Sequence, residues 1–303
     1  MSSITKQQRL ILVTGANKGI GFEVVKKFIQ QSSSNNNNVI LLGSRDLKRG
    51  QDALQQLGSL SNVHILELDT SSKESIIRAT NEIKEKYGGQ LDVIINNAGI
   101  LPKDNTIEST REMFATNYYG VKILNEHLIP LLRNNGHIAN VASGAGPIIL
   151  GCVSKDLQDK YTSSTLTVEQ LDCLVEDFLS AFESNNLEKV GYKTDIPYLS
   201  YGVSKAALIA MTRIAARQDY GDKNLFIYSV NPGYCSTDLS NHGQGARPAE
   251  LGADSILYVI NTPHEELENG AFYQDGKKLP EICKDEATLQ KYLNITQSIS
   301  KAK

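Results

Sequence analysis

Short runs of apolar residues recur along this 303-residue chain, separated by longer stretches with a helical period. The runs are Leu10–Val13, Val39–Leu42, Val63–Leu68, Leu91–Ile95, His137–Ala142 and Leu225–Val230. Most consist of Val, Ile and Leu without polar alternation, the pattern of strands buried on both faces of a parallel sheet. Between the first two runs, Ile20, Val24, Val25, Phe28 and Ile29 share one face of an amphipathic helix. The polar tract from Ser32 to Asn38 ends that helix and reads as a solvated loop. Repeated strand–helix alternation predicts an α/β fold built on a doubly wound parallel β-sheet. No second composition regime appears, so residues 1–303 read as one domain.

One segment breaks the alternation. Between the strand ending near Ser143 and the helix containing Tyr201 lies an insertion, residues 144–200. Thr167 and Gln170 have the spacing of a capping box. Behind them Val168, Leu171, Leu174, Val175, Phe178, Leu179 and Phe182 form an apolar stripe. The insertion therefore carries at least one helix with a face to bury, either on its own domain or in a subunit contact.

Composition narrows the function classes. With 31 Lys and Arg against 34 Asp and Glu, the chain has no global basic field for nucleic acid. No apolar run approaches the ~18 residues of a membrane span. The first nine residues hold no apolar signal-peptide core, and the C-terminal residues carry no recognised anchor or retention signal. Cys152, Cys173, Cys235 and Cys283 are too few and too scattered for a disulfide framework, so reduced thiols in a soluble, cytoplasmic protein are expected. His64, His127, His137, His242 and His264 show no metal-ligand spacing, and no metal is expected.

The chemistry begins at Thr14-Gly-Ala-Asn-Lys-Gly-Ile-Gly21, between the first strand and the first helix. Glycines there allow a sharp turn that brings backbone N–H groups against a pyrophosphate, next to the positive end of a helix. At the end of the second strand, where an NAD site usually carries an acid for the ribose, the sequence reads Leu42-Gly-Ser-Arg-Asp46. A carboxylate would repel a 2′-phosphate, whereas the Arg45 guanidinium would bind it. NADPH is therefore the expected cofactor, with Lys18 a candidate second cation.

Tyr201 and Lys205 are four residues apart in a helical segment and share a face. A cation about 4 Å from a phenol, at an effective dielectric of about 20, contributes roughly 4 kcal/mol before desolvation, enough to pull a tyrosine toward neutral-pH proton transfer. Tyr118/Lys122 and Tyr273/Lys277 have the same spacing, so spacing alone decides nothing. Position does: Tyr201 follows the glycine turn, an Asn-Asn-Ala-Gly strand end and a strand ending in Ser143.

Thr14–Gly21, Asn96-Asn97-Ala98-Gly99, Asn117, Ser143, Tyr201-x-x-x-Lys205 and Pro232-Gly233 occur in the order found in the short-chain dehydrogenase/reductase family, and the chain resembles that family over nearly its whole length. The insertion between Ser143 and Tyr201 is similar to that of the NADPH carbonyl reductase branch. The resemblance implies a Rossmann fold and reduction of a ketone, aldehyde or quinone. It implies Tyr201 as the acid that protonates the carbonyl oxygen and Lys205 as the residue that lowers its pKa and holds the nicotinamide ribose. Ser143 would hold the substrate oxygen, and Asn117 would anchor a water relay. Gly15, Asn17, Lys18, Gly19, Ile20 and Gly21 would cradle the cofactor, with Arg45 on its 2′-phosphate. Asp69 would read the adenine edge, Asn97 and Gly99 would line the adenosine side, and Thr237 would meet the carboxamide. Tyr234, Leu239, His242 and the stretch 243–245 would lie on the substrate loop. By the same resemblance the insertion covers the face through which other members form tetramers, so a monomer is expected.

Each position has a plainer reading. Ser143 and Thr237 have the chemistry of helix caps, Asn117 that of a helix bend, and Asp69 stands just before a helix start. A non-catalytic NADP(H)-binding sensor or scaffold on the same fold is the competing function. It has no need of Ser143, Tyr201, Lys205 and Asn117 together.

Overall fold

The computed structural model describes residues 8–32 and 38–301. The first half alternates as expected: β1 (Arg9–Val13), α1 (Gly19–Ser32), β2 (Asn38–Ser44), α2 (Leu47–Gln56), β3 (Val63–Glu67), α3 (Lys73–Tyr87) and β4 (Leu91–Asn96). Then come α4 (Ile107–Phe114), a π-helical turn over Ala115–Gly120, α5 (Val121–Leu128) and β5 (Leu132–Val141). The insertion holds α6 (Ala145–Cys152), α7 (Lys155–Thr162) and α8 (Val168–Glu183). The chain continues with α9 (Leu199–Ala215), β6 (Phe226–Val230), α10 (Ala249–Asn261), β7 (Phe272–Gln274), β8 (Lys277–Leu279) and α11 (Glu286–Lys301).

The strands form one sheet in the order β3-β2-β1-β4-β5-β6-β7-β8. All six apolar runs form strands; burial on both faces, complete in β2 and β6, explains why most do not alternate, while the edge strand β3 is only partly buried. In β1, Ile11 and Val13 pack with Val24, Val25 and Phe28 of α1, while Leu10 and Leu12 pack with Ile76 and Ile83 of α3 on the other face. The expected parallel sheet is present, with one antiparallel strand at its edge. β7 runs parallel to β6, but β8 returns antiparallel to β7. The turn between them is Asp275-Gly276, both with positive φ, the two-residue hairpin geometry.

Asn38 also departs from the sequence reading. It is a buried first residue of β2 rather than loop, its amide turned back to the Phe28 carbonyl at 3.4 Å; residues 33–37 of that tract lie outside the described residues. The Thr167–Gln170 capping box forms in both directions, at 3.2 and 3.1 Å. Behind it Leu171, Val175, Phe178 and Leu179 are buried with Phe114, Tyr118, Leu208 and Met211. The insertion thus packs on its own domain. Tyr118 and Lys122 hold it there, both bonded to the Asp172 carboxylate. Tyr273 and Lys277 stand on the two strands of the hairpin.

Candidate active site

β1 and β4 are neighbours in the sheet, yet the chain leaves them in opposite directions, toward β2 and toward β5. Such a switch point leaves a crevice outside the carboxyl ends of the strands. Here it encloses about 800 Å³. Its wall includes Gly15, Asn17, Lys18, Gly19, Ile20, Arg45, Asp69, Asn97, Gly99, Tyr201, Lys205 and Thr237, residues drawn from six separate parts of the sequence.

The glycine turn is held by β4. Gly15 has φ +60°, and a Cβ there would come 3.0 Å from Ala98 Cα, so the two segments approach at backbone distance. Thr14 Oγ1 accepts from the amides of Asn97 and Ala98, each at 3.0 Å. The Asn97 amide donates back to the Thr14 and Gly15 carbonyls at 2.9 and 3.1 Å. Asn97 therefore serves first to shape the turn. Gly21 does not line the cleft: a Cβ would lie 2.4 Å from Asn97 Nδ2, so its small size permits the packing beneath the turn.

At the far rim stand Arg45 and Arg49. Asp46 caps α2 by accepting from the Arg49 backbone amide at 2.9 Å, so its carboxylate is engaged. Among the described residues neither guanidinium makes an ion pair. Two unpaired guanidinium groups beside a helix N-terminus suit a phosphomonoester, which is the fit a 2′-phosphate requires. The sequence reading missed Arg49. Its signal was available: Lys48 and Arg49 are basic residues in a first helical turn, where the macrodipole favours acids.

Lys18 is engaged elsewhere. Its ammonium pairs with Asp238 across the mouth of the cleft, and Asp238 also meets His242 Nε2 at 3.2 Å. Those two contacts hold the Asp238 carboxyl below the usual carboxylate range, the Lys18 hydrogen bond most of all. Thr237 is both cleft wall and cap, with a capping box to Ser240. Leu239 and His242 line the cleft, whereas Tyr234 is turned under the position a Gly243 Cβ would take. Asp69 lines the cleft and accepts from the Ser71 amide and hydroxyl at 2.9 and 2.7 Å; the helix cap itself is Ser72.

Tyr201 and Lys205 face the cleft from α9, and Ser143 stands at the start of α6. The two helices pack at glycines. A Cβ on Gly202 would fall 2.1 Å from Ile149 Cγ1, and one on Gly146 would fall 2.9 Å from the Ala206 amide. That close packing brings Ser143 to the phenol. Burial pushes Tyr201 up to about 12, and the hydrogen bond with Ser143 acts in the opposite direction. The expected lowering by Lys205 does not dominate. Its Nζ lies 5.7 Å from the ring centroid and donates instead to the Val141 carbonyl at 2.9 Å. Burial lowers Lys205 itself to about 8.

Asn117 does not line the cleft and does not bond back along its own helix. It sits in the π-helical turn, where Oδ1 accepts from the Ile100 amide at 2.9 Å and Nδ2 donates to the Ile100 carbonyl and Ser204 Oγ at 3.0 and 3.2 Å. Both amide hydrogens are thereby used, and the second lone pair of Oδ1 remains. That oxygen and Lys205 Nζ each come 3.4 Å from where a Gly99 Cβ would stand.

Residues 9–171 match the model of the short chain dehydrogenase family, more than half of the chain. The chain belongs to the short-chain dehydrogenase family. Its relatives within the family include a (+)-neomenthol dehydrogenase of Capsicum annuum, 33% identical over 90% of this chain and 98% of the relative. A carbonyl reductase [NADPH] 1 of Sus scrofa is 34% identical over 91% of this chain and 94% of that protein. Among solved structures, salutaridine reductase from Papaver somniferum superposes with a TM-score of 0.76 at 29% identity, over 88% of this chain and 99% of that one. These relatives place the chain in the carbonyl reductase branch, and the protein is an oxidoreductase of the short-chain dehydrogenase family. Among the described residues no helix is long and apolar enough to cross a membrane, and no His, Cys, Asp and Glu cluster could hold a metal ion.

Proposed function

We propose that the protein reduces the carbonyl group of ketones, aldehydes or quinones with NADPH, Tyr201 donating the proton. The observation that carries this reading is the hydrogen bond of Ser143 with Tyr201, whose side chain stands on the wall of the cleft rimmed by the glycine turn and by Arg45 and Arg49. The bound dinucleotide supplies the hydride. Arg45 and Arg49 hold its 2′-phosphate, and the turn from Gly15 to Ile20 holds its diphosphate. Ser143 Oγ orients the substrate oxygen, and the Tyr201 hydroxyl delivers the proton to that oxygen as the carbonyl is reduced. A phenol held at about 12 is fully protonated at neutral pH, the state a donor needs for reduction. Lys205 holds the nicotinamide ribose, and Asn117 Oδ1 with Lys205 Nζ forms the path along which water reprotonates the phenol. Thr237 holds the carboxamide.

Burial of the α8 stripe within its own chain supports a monomer. Cys152, Cys173, Cys235 and Cys283 are all free thiols, which suits a reducing, cytoplasmic setting. The test is NADPH oxidation by the purified protein across a panel of quinones, ketones and aldehydes. Turnover with NADPH and at least one carbonyl class is expected. NADPH binding without turnover on any of them would instead make the protein a dinucleotide sensor.

A further inference from the structure

The helix that carries Tyr201 begins on a strained residue. Tyr198 is the N-cap of α9 and has φ 55° and ψ 33°, the left-handed region that a bulky L-residue rarely occupies and that strains it. Its carbonyl accepts the first helical bond, from Gly202 N at 3.0 Å, and Tyr201 lies in the turn so opened. A left-handed tyrosine persists only where its surroundings over-determine it. Here one constraint comes from the far end of the chain. Tyr292, on α11, donates its hydroxyl to the Pro197 carbonyl at 2.9 Å. That carbonyl belongs to the peptide plane against which the φ of Tyr198 is measured, so fixing it fixes the turn.

The same C-terminal segment also grips the other side of the site. The Cys283 amide donates to the Pro147 carbonyl of α6 at 2.9 Å, and the Cys283 carbonyl occupies the space beside Gly151, 1.9 Å from where a Cβ would be. α6 is the helix that starts two residues after Ser143, whose Oγ accepts from Ala145 N at 3.2 Å. Residues 283–292 therefore touch both chain segments that bring Ser143 and Tyr201 together. Burial, reinforced by Tyr201 and Tyr198, holds the Tyr292 phenol well above its ordinary value, so it remains a donor throughout the working pH range.

We propose that Tyr292 is a positioning residue for Tyr201: its hydroxyl, through the Pro197 carbonyl, locks the left-handed turn from which the catalytic helix starts. The inference rests on the reading of Tyr201 as proton donor. Tyr292→Phe removes one hydroxyl and leaves the ring in its packing, so the full-length variant is expected to fold with near-normal thermal stability. Its kcat is expected to fall about 10- to 100-fold, the scale of a small misplacement of a reacting group, while KM and Kd for NADPH stay within about two-fold. The high-pH limb of kcat is expected to move to lower pH, because a looser helix start admits water to Tyr201 and relieves the burial that raises it. Asparagine tolerates the left-handed region, so Tyr198→Asn combined with Tyr292→Phe is expected to recover part of the lost kcat. An unchanged kcat in Tyr292→Phe overturns the proposal, as does a loss with the pH limb unmoved and no recovery in the double variant. Tyr201→Phe run alongside separates the two ideas. Wild-type turnover in that variant defeats the reading of the site, whereas its inactivity beside a normal Tyr292→Phe defeats only the positioning role.

Discussion

Lys205 donates to the backbone carbonyl of Val141, 2.9 Å away at the end of β5, and makes no ion pair among the described residues. A buried ammonium satisfied mainly by a neutral carbonyl is destabilised relative to water, which is why burial lowers it from 10.5 to about 8. Between those values the unfolded chain binds more protons at this position than the folded one. Stability therefore rises as pH increases from about 8 to about 10, by about 3 kcal/mol for the full interval. Lys205→Met lacks this dependence and is expected to be more stable than the wild type at pH 7. The difference should narrow steadily above pH 8. Urea unfolding of both proteins across that range checks it, and parallel curves would contradict the assignment.

The rim cations give a cofactor prediction. Arg45→Asp should weaken NADPH by about 10- to 100-fold, the loss expected for a charged hydrogen-bonded pair, and leave NADH nearly unchanged. Arg49→Ala should act in the same direction, more weakly because no repulsive charge is added. Titration of each dinucleotide against both variants is the measurement. Equal losses for NADH and NADPH would remove both residues from the 2′-phosphate.

Gly202→Ala tests the packing that brings Ser143 to Tyr201. The added Cβ would stand 2.1 Å from Ile149 Cγ1 and 3.2 Å from the Ala145 carbonyl, so α6 and α9 must part. Overpacking of this kind costs about 1–3 kcal/mol, and a lower melting temperature is expected together with reduced turnover. Removing side-chain bulk in Ile149→Ala, combined with Gly202→Ala, should restore part of both. No change in stability on Gly202→Ala alone would mean that the helices have slack.

The apolar stripe of α8 makes a prediction about assembly. With Leu171, Val175, Phe178 and Leu179 buried against Phe114 and the α9 side chains, no unpartnered face remains there for a subunit contact. Sedimentation equilibrium should return a monomer mass. A tetramer mass that does not change with concentration would refute this.

What was legible in the sequence was what local patterning can encode. Contiguous runs such as Ile40, Leu41 and Leu42 announce a strand buried on both faces, and Thr167 with Gln170 announces a helix start. The strands β7 and β8 were hidden because three residues are too few to show a period; only Asp275-Gly276 hinted at them. α6, with two internal glycines, a proline and an apolar residue at nearly every position, has no polar face from which a helical period could be read. At the site, the residue types were readable but their partners were not. Lys18 meets Asp238 across 220 residues of sequence, and Tyr292 reaches Pro197 across 95. The raised Tyr201 follows from burial, a property of the packed chain that a Tyr-x-x-x-Lys spacing does not contain.

The central claim is that the Tyr201 hydroxyl supplies the proton, and single-turnover reduction by Tyr201→Phe with pre-bound NADPH tests it most directly. The account predicts NADPH affinity within about two-fold of wild type and a chemical step slowed by about 10²- to 10⁴-fold. A chemical step at the wild-type rate, with NADPH bound normally, would contradict it.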